Sequence, residues 1–380
     1  MSGPILPGAT LGVLGGGQLG RMFALEARRM GYRVAVLCPE NDSPAAQGVD
    51  LLVQAAYDDL DAVARFAAAS SVVTFEFENV PAATAQAAAQ YAPVRPSGKL
   101  LHTTQNRLRE KEALTRLGLP VANYAAIRNE ADVEPAFQKI GVPAILKTAS
   151  WGYDGVGQRR VASLSELRAA WTDLGEHSAV LEALVPFQSE VSVVAARGLD
   201  GSVELYAPFV NDHRNHILDI TQFPANLSAS TTNQAFEITR TIVSGLDLVG
   251  VLCVELFLLT DGQLLVNEVA PRPHNSGHVT IDACSTNQFE QQVRAICGLP
   301  LGATALLAPA AAMANLLGDL WEDGEPNWPA ALEDRDLKLH LYGKVLPRKG
   351  RKMGHLTALA ATAEEAVERV RNARERLTTR

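Results

Sequence analysis

The stretch VGVLCVELFLLTDGQLLVNEVAP, residues 249–271, is two apolar runs separated by Asp261-Gly262. Asp-Gly between alternating hydrophobic residues is a strong short-range signal for an antiparallel hairpin closed by a two-residue type I′ turn. With Asp261 and Gly262 as the turn, Thr260 faces Gln263 and Glu255 faces Glu268. Directly opposed residues have Cβ atoms roughly 5 Å apart, where like charges repel. Both glutamates also sit among valine, leucine and cysteine, where an ionised carboxylate is costly without a partner. A positive group is required between them. A divalent cation meets that need, and hard carboxylate oxygens suit magnesium, or manganese in its place. A lysine or arginine from elsewhere in the chain, or a different register, are the other solutions.

Outward from the hairpin, the segments SEVSVVAARG and SVELYAPFV read as further antiparallel strands. The first hundred residues are different in kind. There TLGVLGG, the helix QLGRMFALEARRM ending at Gly31, YRVAVLCPE, LLVQAA and SVVTFEFE alternate strand and helix, which implies a parallel, doubly wound sheet. Leu19, Met22, Phe23, Ala27 and Met30 recur at helical spacing and place one apolar stripe on that sheet. After Pro93 and Pro96 come a helix around NRLREKEALTRLG, the strand PAILK and a glycine-rich stretch, suggesting a small second domain. The chain closes with TAEEAVERVRNARERL, where Thr362 and Glu365 form a capping box and Ala363, Val367, Val370 and Leu377 one apolar face.

At 380 residues, 47% hydrophobic and 20% charged, the chain is globular and long enough for two or three domains. No apolar run reaches the length that crosses a bilayer, and the N-terminus lacks the basic and apolar regions of a secretory signal, so a soluble cytoplasmic protein with no membrane partner is expected. Cys38, Cys253, Cys284 and Cys297 show no CxxC spacing and read as buried thiols. A net charge of −8 gives no general attraction to nucleic acid.

Two elements suit phosphate. Lys147 ends a short apolar strand, and Gly152 to Gln158 follow as a glycine-rich loop whose backbone N–H groups can approach phosphate oxygens; an ordinary hairpin tip fits the same loop. Gly15 to Gly20 match GxGxxG between a strand and a helix, with Glu40 twenty residues beyond. That is the dinucleotide fingerprint and supports an NAD-dependent oxidoreductase as a rival. A dehydrogenase leaves the paired glutamates and the second glycine loop without a task.

LGGGQLGRM, TFEFENVP, GYDGVGQ, NEVAPRPHNSGH and GKVLPRKGRKMGHL, in this order, resemble the ATP-grasp superfamily, and within it the 5-(carboxyamino)imidazole ribonucleotide synthetases, over almost the whole chain. The resemblance implies an α/β chain, α+β in its central and C-terminal parts. It divides into a Rossmann-like preATP-grasp domain (1–106), a middle lid (107–188) and a C-terminal domain with metal and acceptor sites (189–380). It implies ATP- and bicarbonate-dependent carboxylation of 5-aminoimidazole ribonucleotide through carboxyphosphate, commonly in a homodimer; an ATP-grasp ligase with another acceptor is the alternative.

Carried over by motif, Arg107 and Lys147 would hold nucleotide phosphates, with Gly152, Tyr153, Asp154, Gly155, Val156, Gly157 and Gln158 closing over them. Glu182, Ala183, Leu184 and Val185 would form the adenine hinge, Glu190 would take the ribose, and His213, Asn267 and Glu268 would complete the site. Glu255 and Glu268 would hold magnesium. Glu76, Tyr153, Asp154, Arg272, His274, Lys344 and Arg351 would meet the acceptor, with Arg272, His274, Asn275 and Asp154 in catalysis. Read alone, Arg272 fits a structural ion pair and His274 an ordinary loop histidine. The cluster Lys344, Arg348, Lys349, Arg351 and Lys352 independently suits a ribose 5-phosphate in an acidic protein, or else a solvated loop. Three departures stand out. Trp151 replaces a small residue, Val156 replaces a basic one whose charge Arg159 or Arg160 would supply, and Ala270 replaces the asparagine of a Glu-x-Asn motif, for which Asn275 would substitute.

Overall fold

A computed structural model describes residues 3–41, 43–150 and 157–378. The N-terminal part contains β1 (Thr10–Leu14), α1 (Gln18–Arg29), β2 (Arg33–Cys38), β3 (Leu51–Gln54), α2 (Leu60–Ala68), β4 (Val72–Phe75), α3 (Ala82–Ala89) and α4 (Gly98–Thr104). Its sheet is parallel, in the order β3-β2-β1-β4. The apolar strands are buried on both faces, as a parallel sheet requires. Met22, Phe23 and Ala27 of α1 are fully packed against it, with Leu19 and Met30 at the margin, as the helical spacing predicts.

Next come α5 (Arg107–Arg116), β5 (Tyr124–Ile127), α6 (Val133–Ile140), β6 (Ala144–Thr148), β7 (Gln158–Val161), α7 (Leu164–Asp173) and β8 (Ala179–Ala183). The strands form an antiparallel sheet, β5-β8-β6-β7. The glycine-rich stretch connects β6 to β7, so topologically it is a hairpin connection; its residues Trp151, Gly152, Tyr153, Asp154, Gly155 and Val156 lie outside the described residues.

The C-terminal part comprises β9 (Phe187–Arg197), β10 (Val203–Leu205), β11 (Phe209–Arg214), β12 (Ile217–Phe223), α8 (Ala229–Gly245), β13 (Gly250–Leu259), β14 (Leu264–Ala270), α9 (Thr280–Ala283), α10 (Gln288–Cys297), β15 (Ala310–Leu317), α11 (Trp328–Ala331), β16 (Lys338–Leu341), β17 (Lys352–Ala360) and α12 (Ala363–Arg376). One antiparallel sheet runs β14-β13-β9-β11-β12-β15-β17-β16, with β10 paired to β9. Thr362 caps α12 by accepting from Glu365 N at 3.2 Å, and Glu365 reaches back to Ala361 N. Val370 and Leu377 are buried beneath it and Val367 partly so.

The hairpin departs from expectation in a revealing way. Its loop has three residues, Thr260 to Gly262: Leu259 N donates to Gln263 O at 2.9 Å and Gly262 N to Leu259 O at 3.0 Å. Only Gly262 takes the left-handed conformation, with φ 84°, whereas a type I′ turn needs positive φ at both central residues. Near the loop the strands are therefore one residue out of the expected phase, with Phe257 opposite Leu265 and Leu256 opposite Val266. A bulge at Asn267 then restores Glu255 to Glu268. The expected pair exists because two irregularities cancel. The bulge does further work: successive strand residues normally point to opposite faces, but here Asn267 and Glu268 both line one cavity.

Candidate active site

A cavity of about 990 Å³ opens where the three parts meet. It is lined by Gln18 and Glu76 from the first, Lys147, Gln158 and Glu182 to Val185 from the second, and Glu190, His213, Glu255, Asn267, Glu268, Arg272, His274, Asn275 and Lys344 from the third. Arg107 of α5 completes this set. Residues far apart in sequence converge because the hairpin, the hinge after β8 and the turn after β1 all end at the same place.

Helix α5 organises the cationic side. Arg107, Glu110 and Lys111 occupy one face at spacings of three and four. Arg107 Nη1 meets Glu268 Oε2 at 2.8 Å, Glu110 Oε1 accepts from Val269 N at 2.7 Å, and Lys111 Nζ lies 3.1 Å from Glu182 Oε1. Glu110 therefore satisfies the exposed edge of β14 beside the metal-ligand candidate. Burial pushes the Glu110 carboxyl up to about 8, with the Glu268 charge adding to it. Glu182 goes the other way: burial alone would raise it, yet Lys147, at 2.8 Å, and Lys111 hold it at about 2. The side chain of Glu182 is thus committed to two lysines, and what it offers a ligand is backbone. Aromatic rings flank the hinge, Phe187 stacked on Phe257 with centroids 4.6 Å apart.

The two glutamates have protein partners of their own. Burial would raise Glu268, but Arg107 outweighs it and holds it at about 2. Glu255 Oε1 is 2.9 Å from His274 Nε2. Burial would lower His274, and the neighbouring Cys253 and Glu255 raise it to about 10. The arginine solution is accordingly present, but it leaves oxygens to spare. Asn267 Oδ1, in the bulge next to Glu268, is buried with no hydrogen-bond partner. Two carboxylates and an orphaned amide oxygen are a hard-oxygen donor set. Among the described residues no group of three or more His, Cys, Asp and Glu side chains could hold a metal ion.

Arg272 pairs with Glu78 at 2.7 Å and donates to Pro273 O at 3.0 Å, while its Nε is buried and unpartnered. Asn275 is turned away from the glutamates: its amide exchanges hydrogen bonds with Asn315, at 3.1 and 2.8 Å. It does not replace the missing Glu-x-Asn amide, a place that Asn267 fills better. Glu190 lies 2.5 Å from His213 Nδ1; burial lowers that imidazole, and Glu190 more than compensates, so it is raised.

Lys344 Nζ donates to Gln18 Oε1 at 2.7 Å and to Lys352 O at 2.5 Å, docking the basic tail on the first residue of α1. Lys352 lines the cavity too, whereas Arg351 donates to Leu346 O at 2.7 Å within its own loop and lies outside the wall. Gly157 is not among the described residues that line it, and Arg159 folds back on Gln158 O at 2.9 Å. The residues missed by motif reading, Gln18, Glu78 and Glu110, act as partners of predicted residues or their neighbours, and single-residue types carry no signal for that; Lys352 belongs to the basic cluster already singled out.

The glycine turn Gly15 to Gly20 is not open to a dinucleotide. Glu76 fills it: Gly17 N donates to one carboxylate oxygen and Gly20 N to the other, the latter at 2.7 Å. A Cβ on Gly15 would lie 2.3 Å from Glu76 Cγ. The glycines admit an internal carboxylate where a pyrophosphate would otherwise bind, which removes the structural basis for the oxidoreductase reading.

Residues 8–105 match the ribonucleotide synthetase preATP-grasp domain, 112–289 the ATP-grasp domain and 311–369 the phosphoribosylaminoimidazole carboxylase C-terminal domain. The chain is 41% identical to the N5-carboxyaminoimidazole ribonucleotide synthase of Bacillus subtilis strain 168, over 97% of this chain and 96% of that one. A crystal structure of an ADP complex of N5-carboxyaminoimidazole ribonucleotide synthetase superposes with TM-score 0.90 at 41% identity, covering 98% of both chains. The Aspergillus clavatus N5-carboxyaminoimidazole synthase in complex with ADP and 5-aminoimidazole ribonucleotide gives 0.86 at 30%, covering 97% of this chain and 98% of that one. With three domain matches in order and likeness over nearly the full length, the chain belongs to the N5-carboxyaminoimidazole ribonucleotide synthase family of ATP-grasp enzymes.

Proposed function

We propose that this protein is an ATP-dependent carbon–nitrogen ligase that carboxylates the exocyclic amine of 5-aminoimidazole ribonucleotide with bicarbonate, in purine biosynthesis. The observation that carries the reading is one cavity lined by two chemically distinct sets of residues. A hinge, aromatic rings and Lys147 make one set, Arg272 and the docked basic tail the other, and both share the cavity with the paired carboxylates and His274, which meets Glu255 at 2.9 Å.

ATP would lie with its base against the hinge Glu182 to Val185 and its ribose at Glu190. Its phosphates would run toward Lys147, Arg107 and the β6–β7 connection. Glu255 and Glu268, with Asn267 Oδ1, would hold magnesium, which when bound neutralises phosphate charge. A bicarbonate oxygen attacks the γ-phosphorus and ADP departs, giving carboxyphosphate. The unpartnered Nε–H of Arg272 is available to the transferring group as charge builds on it. The amine nitrogen then bonds to the carboxyl carbon, phosphate leaves with the C–O bond electrons, and the amine loses a proton. His274, whose Nε2 lies 2.9 Å from Glu255, would stand beside the carboxylate being formed. Lys344 and Lys352 would take the ribose 5-phosphate. Carboxyphosphate hydrolyses, so the reaction needs water kept from the cavity while it lasts. The four buried free thiols suit a reducing compartment, consistent with the cytoplasm.

The test is ADP release with ATP, magnesium and bicarbonate, with and without 5-aminoimidazole ribonucleotide. Acceptor-dependent ADP with matching carboxylated product is expected; absence of any acceptor dependence would sink the reading.

A further inference from the structure

We infer that Gln288 is the positioning residue for His274 and that His278 sets the orientation of the Gln288 amide; the inference rests on the reading that His274 faces the acceptor. The segment from Arg272 to His278 leaves the sheet and enters a short 3₁₀ turn, Ser276–Val279, so the N–H of His274 has no strand partner, and an unpaired buried one is costly. Gln288 is fully buried and bonds both backbone groups of His274, whose carbonyl also accepts from Gly277 N at 3.1 Å. Its Oε1 accepts from His274 N at 2.8 Å and its Nε2 donates to His274 O at 2.7 Å. One side chain thereby holds both ends of a single residue, as a neighbouring strand would.

The second Nε2 hydrogen is directed to His278 Nδ1 at 3.1 Å. That nitrogen must be the unprotonated one, because an amide NH₂ group only donates. A flipped amide would set NH₂ against His274 N–H and oxygen against His274 O, so the three contacts specify one orientation. Gln288 is itself rigid. It opens α10, Asn287 caps that helix through Phe289 N and Glu290 N at 2.9 Å each, and Gln288 N donates to Thr280 Oγ1 at 3.1 Å. Gly277 makes room: a Cβ there would stand 2.3 Å from Gln288 Oε1. From the backbone so held, the His274 ring reaches Ser276 Oγ with Nδ1 and Glu255 with Nε2, both at 2.9 Å. Gln288 does not line the cavity, so its influence passes through His274.

The experiment is steady-state kinetics on Gln288→Met, His274→Ala and their double variant, with separate KM values for ATP and for 5-aminoimidazole ribonucleotide. Gln288→Met is expected to lower kcat/KM for the acceptor by about 10- to 100-fold, the cost of a misplacement near 1 Å, with KM for ATP within about twofold of native. In the His274→Ala background it should cost no more than about twofold further, since both changes remove one contribution. Losses that multiply would mean that Gln288 supports the fold and not His274, and overturn the inference. An impaired His274→Ala beside an unimpaired Gln288→Met overturns the inference alone, whereas a fully active His274→Ala overturns the reading of His274 with it. Should Gln288→Met fail to fold, the His278 variants decide. Asn places an amide oxygen near the position of Nδ1, so His278→Asn is expected to keep at least about tenfold more activity than His278→Leu; equal losses overturn the inference.

Discussion

The glycine turn after β1 and the hairpin of β13 and β14 both hold carboxylates, and they end in opposite states. Glu76 is finished: two backbone N–H groups at the start of α1 take its two oxygens, and the turn has no room for another anion. Glu255 and Glu268 are unfinished: each has one side-chain partner, His274 and Arg107, they face each other, and an amide oxygen beside them has none. A motif shaped for phosphate can be plugged from within, and a working site is found where charge has been gathered without being fully paired.

The largest effect expected from breaking this contrast is on the unfinished side. Glu268→Gln should lower ATP turnover by about 10² to 10³-fold while circular dichroism shows an intact, cooperatively melting fold. Activity near native would remove the metal role. On the finished side, Glu76→Ala leaves two buried N–H groups unpaired and should cost about 2–4 kcal/mol of stability. Inorganic phosphate should recover part of that loss in the variant and do nothing for the native chain, which would convert the plugged turn into the anion site it resembles. No phosphate response in thermal melts would show that the turn collapses without its carboxylate.

Next comes Glu110, which joins α5 to the hairpin edge. Its folded pKa, about 8, is raised from the ordinary 4.5, so the stability it contributes is complete below 4.5 and lost as pH rises through 8. Native protein should lose a few kcal/mol between pH 5 and pH 9 that Glu110→Gln does not lose, read as the difference in their denaturation midpoints. Parallel pH curves would place the ionisation elsewhere. The smallest effect belongs to the hairpin loop. Gly262→Ala should cost about 1 kcal/mol, because φ is 84° although space for a Cβ exists, and should leave kcat unchanged.

Much of the molecule was legible in the chain itself. Apolar runs bounded by turn residues, and helical spacing, placed β1, α1, β13, β14 and α12, because those patterns are properties of neighbouring residues. The paired glutamates were legible too, though by a turn that is one residue longer than expected and a bulge that compensates for it. Five ordered motifs carried the family, and with it Arg107, Lys147, Glu190, His213, Arg272, His274 and Lys344, all of which the fold brings to one cavity.

Tertiary structure alone decided how those residues are partnered. That Glu76 occupies the glycine turn, that Asn267 and not Asn275 stands free beside Glu268, and that Lys352 and not Arg351 reaches the wall are facts of approach between distant segments. So is the face of α5 that presents Arg107 to Glu268, Glu110 to Val269 and Lys111 to Glu182. Periodicity is local and survives in a linear string, whereas a charge is satisfied or left open only by what the rest of the chain lays against it.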